Sequence, residues 1–344
     1  FSDKHSEVTV PLWSTNQPFQ PEVQLGGMLG LKEAGMCEEF GMSTQYWNWH
    51  EWGRFPRGIR DVSAAFVCPA DIILRLELMG IALGSTWIHI EGGQPYFESD
   101  LTQGLAPPAK RHRDLSYELI RKNILIPGAS PVNMNETAVI REFHPEMHKG
   151  KENRQRIAYP YYHRNKEGLR KGFIPARYLF ETYDADAFPR IAYGLDWNAI
   201  TCFPETPNGW VPVLPPGASI SEEMKMIHTN GEKILRDGKW ISSEKAGATV
   251  EKMLIEGAGH YPLKAPGTCL IIQKDESAPE MYTAIMMDPG YLAPVGVETI
   301  VKAEVNILDA TDMVTGEKIE FNGNSCPVMI EPGAFRVIRF KLAE

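Results

Sequence analysis

The stretch ADIILRLELMGIALGSTWIHIEGG, Ala70 to Gly93, decides the fold. Apolar residues recur at helical spacing from Ala70 to Leu83, and Gly84 ends the run. Ser85 to Glu91 then reads as a strand. Along it Trp87, His89 and Glu91 share one face, while Thr86, Ile88 and Ile90 share the other. The strand stops on an acid followed by Gly92 and Gly93, which let a ligand approach the backbone closely. In an α/β fold the apolar set of such a strand packs on helices, and residues at the strand end form the site.

Similar units lie on both sides. Val8–Trp13 alternates and reads as a strand. Val23–Phe40 reads as a helix closing at Gly41, and Met42–Trp49 as a strand that runs into an aromatic loop. Asp114–Asn123 reads as a helix capped by Asp114. Arg177–Phe180 and Ala199–Phe203 read as strands, and Trp210–Leu214 as an apolar run stopped by Pro215. Ser221–Leu235 reads as a helix with Glu222 and Glu223 in its first turn, favourable for the helix dipole. Strands alternating with helices predict a parallel sheet. Near Lys239 the texture changes to short β-rich runs: Thr268–Gln273, Met281–Met287, Thr299–Leu308, Lys318–Phe321, Val328–Ile330 and Phe335–Leu342. Asp288-Pro289-Gly290, Thr315-Gly316-Glu317 and Asn322-Gly323-Asn324 punctuate them, as turns do in a small antiparallel sandwich. The expected fold is therefore α/β: a (β/α) barrel over residues 1–238, then an antiparallel β-sandwich over residues 239–344, the boundary falling between 236 and 245.

Composition narrows the function. The 344 residues are 43% hydrophobic and 23% charged, ordinary for a globular chain. A net charge of −9 gives no basic footprint for nucleic acid or an anionic membrane surface. No apolar stretch reaches the length of a transmembrane helix. The five cysteines (Cys37, Cys68, Cys202, Cys269 and Cys326) are scattered, without the spacing of a disulfide framework or zinc ribbon. No dinucleotide-binding or phosphate-loop glycine pattern follows a strand, so a nucleotide site is not expected. Neither is any other cofactor. His144 and His148 are four apart, but Pro145 lies between them, so no metal site is expected either. The one glycosylation sequon, Asn135-Glu136-Thr137, is too short to establish secretion.

The chemistry concentrates in two places. Three of the eight tryptophans fall within Tyr46-Trp47-Asn48-Trp49-His50-Glu51-Trp52. Indoles beside Asn, His and a carboxylate suit a pyranose ring, whose C–H face stacks and whose hydroxyls hydrogen-bond. An aromatic loop plug is the plainer reading. Glu91 is the best-placed acid, its structural alternative being a buried pair with Arg54 or Arg57. Glu51 and Glu181 compete for a second catalytic role. Glu181 belongs to Phe180-Glu181-Thr182-Tyr183-Asp184-Ala185-Asp186, in which Asp186 reads better as a helix cap. Glu205 also follows a strand. Tyr46, Trp47, Trp49, His50, Trp52, Arg54, His89 and Trp210 are the expected substrate-binding residues, with Arg54 and His89 reaching hydroxyl or acidic groups. Acid-rich strand ends, a wall of Trp, Tyr and Arg, and an appended β-sandwich together resemble a glycoside hydrolase, in which one carboxylate protonates the leaving oxygen and the other activates water or attacks. A polysaccharide lyase using Tyr46 or His50 with Arg54, and a non-catalytic glycan-binding barrel, are the alternatives.

Within the hydrolases the chain resembles glycoside hydrolase family 98. The likeness rests on Trp87–Glu91, on Tyr46–Trp52, on Asn208-Gly209-Trp210-Val211-Pro212 and on Asp312-Met313-Val314-Thr315-Gly316-Glu317. The resemblance implies a (β/α)8 barrel with a C-terminal β-sandwich, cleavage inside glycan chains with inversion, a secreted or periplasmic location, and Glu91 in the general-base apparatus. A full barrel takes about 250 residues, and only about six convincing strands precede Lys239. Either strands lie hidden in regions such as 124–176, or the first barrel strands belong to a preceding segment or a second chain.

Overall fold

The computed structural model describes residues 10–14, 21–44, 70–90, 107–141, 209–214, 225–229, 233–236, 239–242, 252–288 and 296–344. The strands expected at Arg177–Phe180 and Ala199–Phe203 lie outside them. Three strands form the first sheet: β1 (Leu12–Ser14), β2 (Phe40–Thr44) and β3 (Ser85–Ile90), parallel and in the order β1-β2-β3. Helix α1 (Pro21–Glu33) lies between β1 and β2 in sequence, and α2 (Ala70–Ala82) between β2 and β3. α1 opens on Pro21, whose missing N–H costs nothing at a first helical position. It closes earlier than its apolar pattern suggests. Met36 N donates to Leu31 O (2.9 Å) and Gly35 N to Lys32 O (3.0 Å), with Gly35 at φ 65°, a Schellman ending. Phe40 and Gly41 thus belong to β2 rather than to the helix end. α2 ends where the sequence places it. Gly84 has φ 101°, and a Cβ there would lie 2.8 Å from Ala129 O, so only glycine fits. α3 (Pro107–Arg121) starts at its proline, which leaves Asp114 inside the helix and not at its cap.

The second sheet has five strands: β4 (Thr137–Arg141), β5 (Val213–Leu214), β6 (Lys225–Thr229), β7 (Lys233–Arg236) and β8 (Lys239–Ser242), in the order β5-β4-β6-β7-β8. β4 runs parallel to β5 and β6, and β6, β7 and β8 form antiparallel hairpins. β4 is a strand within the region 124–176. The helix expected over Ser221–Leu235 is instead β6 and β7. Asn230-Gly231, a turn-favouring pair, stands between them in sequence, and the antiparallel pairing of His228 with Leu235 and of Thr229 with Ile234 replaces the helix. β8 is laddered to β7 through Ile234 and Ile241. The first part's strands therefore run on to Ser242, and the following pair of sheets begins at Leu263.

That pair comprises β9 (Leu263–Lys264), β10 (Cys269–Lys274), β11 (Met281–Met287), β12 (Val297–Ala303), β13 (Ile307–Asp312), β14 (Ser325–Ile330) and β15 (Phe335–Leu342). One antiparallel sheet has the order β10-β11-β15-β13 and the other β14-β12-β9. Leu270, Ile272, Ala284, Met286, Ile338 and Phe340 of the first share a core with Val301, Ala303, Cys326, Val328 and Ile330 of the second. Their sequences show how many sides each sheet covers. β12 alternates, burying Thr299, Val301 and Ala303 while Glu298, Ile300 and Lys302 stay exposed. β10 is buried from Cys269 through Gln273, so both its faces are covered. The run Thr299–Leu308 splits into β12 and β13, and Lys318–Phe321 contributes only an isolated bridge, Thr311 to Lys318. The turn Asp312–Glu317 is held by Asp312. Its Oδ1 accepts from Val314 N (2.8 Å) and Thr315 N (3.0 Å), and its Oδ2 from Arg336 Nε (2.5 Å).

The second face of β10 and β11 meets α2. Cys269, Ile271, Ile285, Met287 and Val337 join Phe40 and Met42 of β2 and the α2 residues Leu74, Leu76, Leu78, Met79, Ile81 and Ala82 in one core. Every residue from Leu74 to Ala82 is buried, because α2 lies between two sheets. Each Leu, Ile or Met so covered contributes about 1.5–3 kcal/mol. Buried charge accompanies it: Arg75 Nη1 donates to Asp288 O (3.0 Å), while Asp288 Oδ2 accepts from Gly296 N (3.0 Å) and Gly333 N (2.9 Å).

β10 lies at the end of its sheet's strand order, and the segment 126–135 covers its outer edge. Val132 N donates to Ile272 O (2.8 Å). The Asn133 side chain donates to Leu270 O (2.9 Å) and accepts from Ile272 N (2.9 Å), pairing as a strand residue would. Gln273 ties the same edge to α2 through Ala82 O (2.9 Å) and to Ile126 N (2.9 Å) and Ile126 O (3.0 Å). Asn133→Ala leaves the buried Ile272 N–H without this partner. A loss of about 1–3 kcal/mol is expected in urea unfolding.

A pH effect is expected at the sheet edge farther from α2. Hydrogen bonds and charge from Lys318 hold the Asp309 carboxyl below its ordinary range. A depressed carboxylate stabilises the fold above its unfolded pKa, and that contribution fades as pH falls through the folded one. The pair is largely solvated, so about 0.2–1 kcal/mol is at stake. Lys318→Met should remove that increment at neutral pH and leave stability at strongly acid pH unchanged, as read by urea unfolding at both.

Candidate active site at the strand ends

The three parallel strands end together. Ser14 is paired with Ser43, Ser43 with His89, and Thr44 with Ile90. In sequence the aromatic segment Tyr46–Trp52 follows β2 after one intervening residue, Gln45, and Glu91 follows Ile90 directly. Both therefore continue from adjacent strand ends on one edge of the sheet. This register is what α/β folds use to bring sequence-distant groups to one site.

On the sheet face opposite Phe40 and Met42 lie Gly41, Ser43, Trp87 and His89, as alternation along the strands requires. Trp87 is 50% exposed, and its ring stacks with His89 at 6.1 Å between centroids and 23° between planes. The indole lies across β2 because Gly41 has no side chain: a Cβ there would sit 2.9 Å from Trp87 Cε3 and 2.7 Å from Leu12 Cδ2. Ser43 is buried, and its Oγ lies 3.0 Å from His89 Nδ1. The imidazole is thus held by a hydrogen bond at one nitrogen and by an aromatic face, with the ring itself exposed. Such a surface can stack on the apolar face of a ring and bond to its polar rim.

His89 stands at this edge, as its place on the strand predicts. Trp210 does not. It is wholly buried, and its indole N–H donates to Leu270 O (2.9 Å), so it serves the junction between β10 and the segment 126–135. Its ring has no open face for a substrate. Glu91, Glu51, Glu181, Tyr46, Trp47, Trp49, His50, Trp52 and Arg54 lie outside the described residues, as do Glu205, His144 and His148. Trp87 and Ser43 belong to the site geometry although the aromatic run draws attention elsewhere. The signal for Trp87 is its period-2 relation to His89; Ser43 carries none, since its place depends on cross-strand register. Asn135 of the sequon is buried, its amide donating to Leu254 O (3.0 Å) and accepting from Thr137 N (2.9 Å), so folding removes it from the surface. Among the described residues no cluster of His, Cys, Asp and Glu could hold a metal ion, and no helix is long and apolar enough to cross a membrane.

Neither family models nor curated proteins give a match to this sequence. Solved structures do. The catalytic module of a family 98 glycoside hydrolase from Streptococcus pneumoniae TIGR4, in complex with the H-disaccharide blood group antigen, matches 98% of this chain over 68% of its own length, at 12% identity and a TM-score of 0.45. The chain is similar to family 98 glycoside hydrolase structures. The same module in complex with the LewisY pentasaccharide matches 98% of this chain and 68% of its own, at 14% identity and a TM-score of 0.40. The apo exo-carrageenase of family 42 from Bacteroides ovatus matches over 90% of this chain and 49% of its own, at 9% identity and a TM-score of 0.39. Similarity at this level transfers no residue role.

Gly41→Ala tests how the strand face holds Trp87. Leu12 can yield, but the indole must move, so a loss of about 1–3 kcal/mol is expected. The Trp87 indole N–H resonance, assigned by its absence in Trp87→Phe, should shift more than any other indole signal.

Proposed function

We propose that this chain is a glycoside hydrolase whose cleft lies at the C-terminal edge of β1, β2 and β3. One observation carries the reading: the in-register pairing of Thr44 with Ile90. It makes Glu91 and the Trp-rich Tyr46–Trp52 successors of neighbouring strand ends, beside the exposed Trp87–His89 pair. Hydrolysis of a glycan needs a pair of carboxyl groups, of which Glu91 is read as the first, and aromatic ring faces suit the pyranose they act on. The parallel sets β1-β2-β3 and β5-β4-β6 are read as arcs of one (β/α) barrel, and the two facing antiparallel sheets as its β-sandwich. Blood-group glycans, bound by the Streptococcus pneumoniae module, are among the substrates to try.

In this mechanism Glu91 is the general base that activates water for attack on the anomeric carbon. Glu51 or Glu181 supplies the second carboxyl function. Tyr46, Trp47, Trp49 and Trp52 with Trp87 form the ring-stacking wall, while His50, Arg54 and His89 bond to hydroxyl or acidic groups. Cleavage is internal to the chain and inverting, and the enzyme acts in a secreted or periplasmic setting.

Glu91→Gln is the decisive variant. Its rate of reducing-end release from a panel of host glycans and algal and plant polysaccharides should fall by about 10²–10⁴-fold with the fold intact, as removal of an acid–base group does. Size analysis of early products separates internal from terminal cleavage, and the first-formed anomer read by NMR separates inversion from retention. Full activity in Glu91→Gln would remove Glu91 from the mechanism. An unsaturated uronate product would mean a lyase, and glycan binding with no cleavage by the wild type would mean a binding protein.

A further inference from the structure

We infer that Ser43 fixes His89 as the Nε2–H tautomer, making His89 a hydrogen-bond donor to a sugar oxygen in the cleft. The sugar acceptor rests on the glycan reading above; the tautomer itself does not. Burial is asymmetric in this pair. Ser43 is buried at 3% exposure, whereas His89 is exposed. A hydroxyl carries one proton that needs an acceptor, and a buried donor left unpaired costs about 1–3 kcal/mol. Among the described residues the one group within reach of Ser43 Oγ is His89 Nδ1, at 3.0 Å. Imidazole has no such demand, because an exposed ring N–H can bond to water. The economical arrangement has Ser43 O–H donating to Nδ1.

A neutral imidazole carries one proton, and accepting at Nδ1 leaves it on Nε2. The Trp87 ring, stacked at 6.1 Å, limits rotation of the imidazole out of this bond. The result is a directed donor beside a half-exposed indole face: the indole suits a sugar's C–H face and the N–H its ring or hydroxyl oxygen. Ser43 is a positioning residue, acting only through His89. Threonine at that place would keep the hydroxyl; alanine would remove it.

Nitrogen-15 spectra of the imidazoles of the whole chain test this, with the His89 signals assigned by their loss in His89→Gln. In the neutral ring Nδ1 should show the shift of an unprotonated nitrogen and Nε2 that of a protonated one. In Ser43→Ala the two should move toward the mixed average of a free imidazole, and Ser43→Thr should restore the wild-type pattern. A protonated Nδ1 in the wild type, or a pattern unchanged in Ser43→Ala, overturns the inference. Should Ser43→Ala fail to fold, the wild-type spectrum alone decides. Lactose and the H-disaccharide, added to the wild type, should shift His89 Nε2–H and the Trp87 indole N–H together. If neither sugar moves these signals while the tautomer pattern holds, the sugar acceptor is overturned and the Ser43–His89 assignment stands.

Discussion

The outer edge of β10 is the constraint on which the described fold depends. A terminal strand exposes a row of backbone donors and acceptors that must be satisfied. Among the described residues no further strand does it. Val132 and the amide of Asn133 supply the pairing, Trp210 adds its indole N–H, and Gln273 reaches across to Ala82 at the end of α2. The amides matter because each offers donor and acceptor together. Asn133 can therefore match Leu270 O and Ile272 N at once, as a peptide group would. Closing this edge permits β10 and β11 to be apolar on both faces without presenting a sticky strand. That in turn supplies the second wall against which α2 is buried.

α2 transmits this constraint to the site. It touches β10 and β11 on one side and β2 and β3 on the other. Phe40 and Met42 face it in the common core. Alternation then leaves Gly41 and Ser43 no choice but the opposite face, where Trp87 and His89 lie. The Ser43–His89 bond is thus a consequence of packing two strands and a helix away from it. Buried Arg75 and Asp288 reinforce the same contact, the Arg75 Nη1 donating to the Asp288 carbonyl.

Much of this is legible in the sequence where one rule acts alone. The apolar run to Leu83, Gly84 and the alternating strand after it are local features, and each has one structural solution. The same holds for β11 and β15, whose apolar runs end at turn signals. Legibility fails where two local rules compete. In Ser221–Leu235 apolar spacing suggests a helix, while Asn230-Gly231 in the sequence favours a turn, and β6 and β7 pair as a hairpin. It fails again where tertiary contacts reassign a residue. Trp210 has the composition of a sugar platform, yet the carbonyl of Leu270 satisfies its N–H and the core takes its ring. Its neighbours in sequence carry no mark of that partner, which is 60 residues away. Ser43 is the converse case, an ordinary strand serine whose role exists only through parallel register.

Tryptophans divide by job for a physical reason. An indole is both a large apolar plate and a single donor, so its place is decided by where that donor finds an acceptor. Trp210 finds a backbone carbonyl at a closed edge and is fully enclosed. Trp87 lies over a glycine on a strand face, with a half-exposed ring stacked on an imidazole. The difference follows from neighbours rather than from residue type: Gly41 lets the ring lie flat, and Ser43 beneath holds the imidazole beside it. A flat apolar plate next to an oriented N–H is a pairing a core has no use for, since a core would satisfy the donor and cover the plate. It stands open at a parallel strand edge, two residues before an acid in the sequence, and the proposed glycan cleft is built around it.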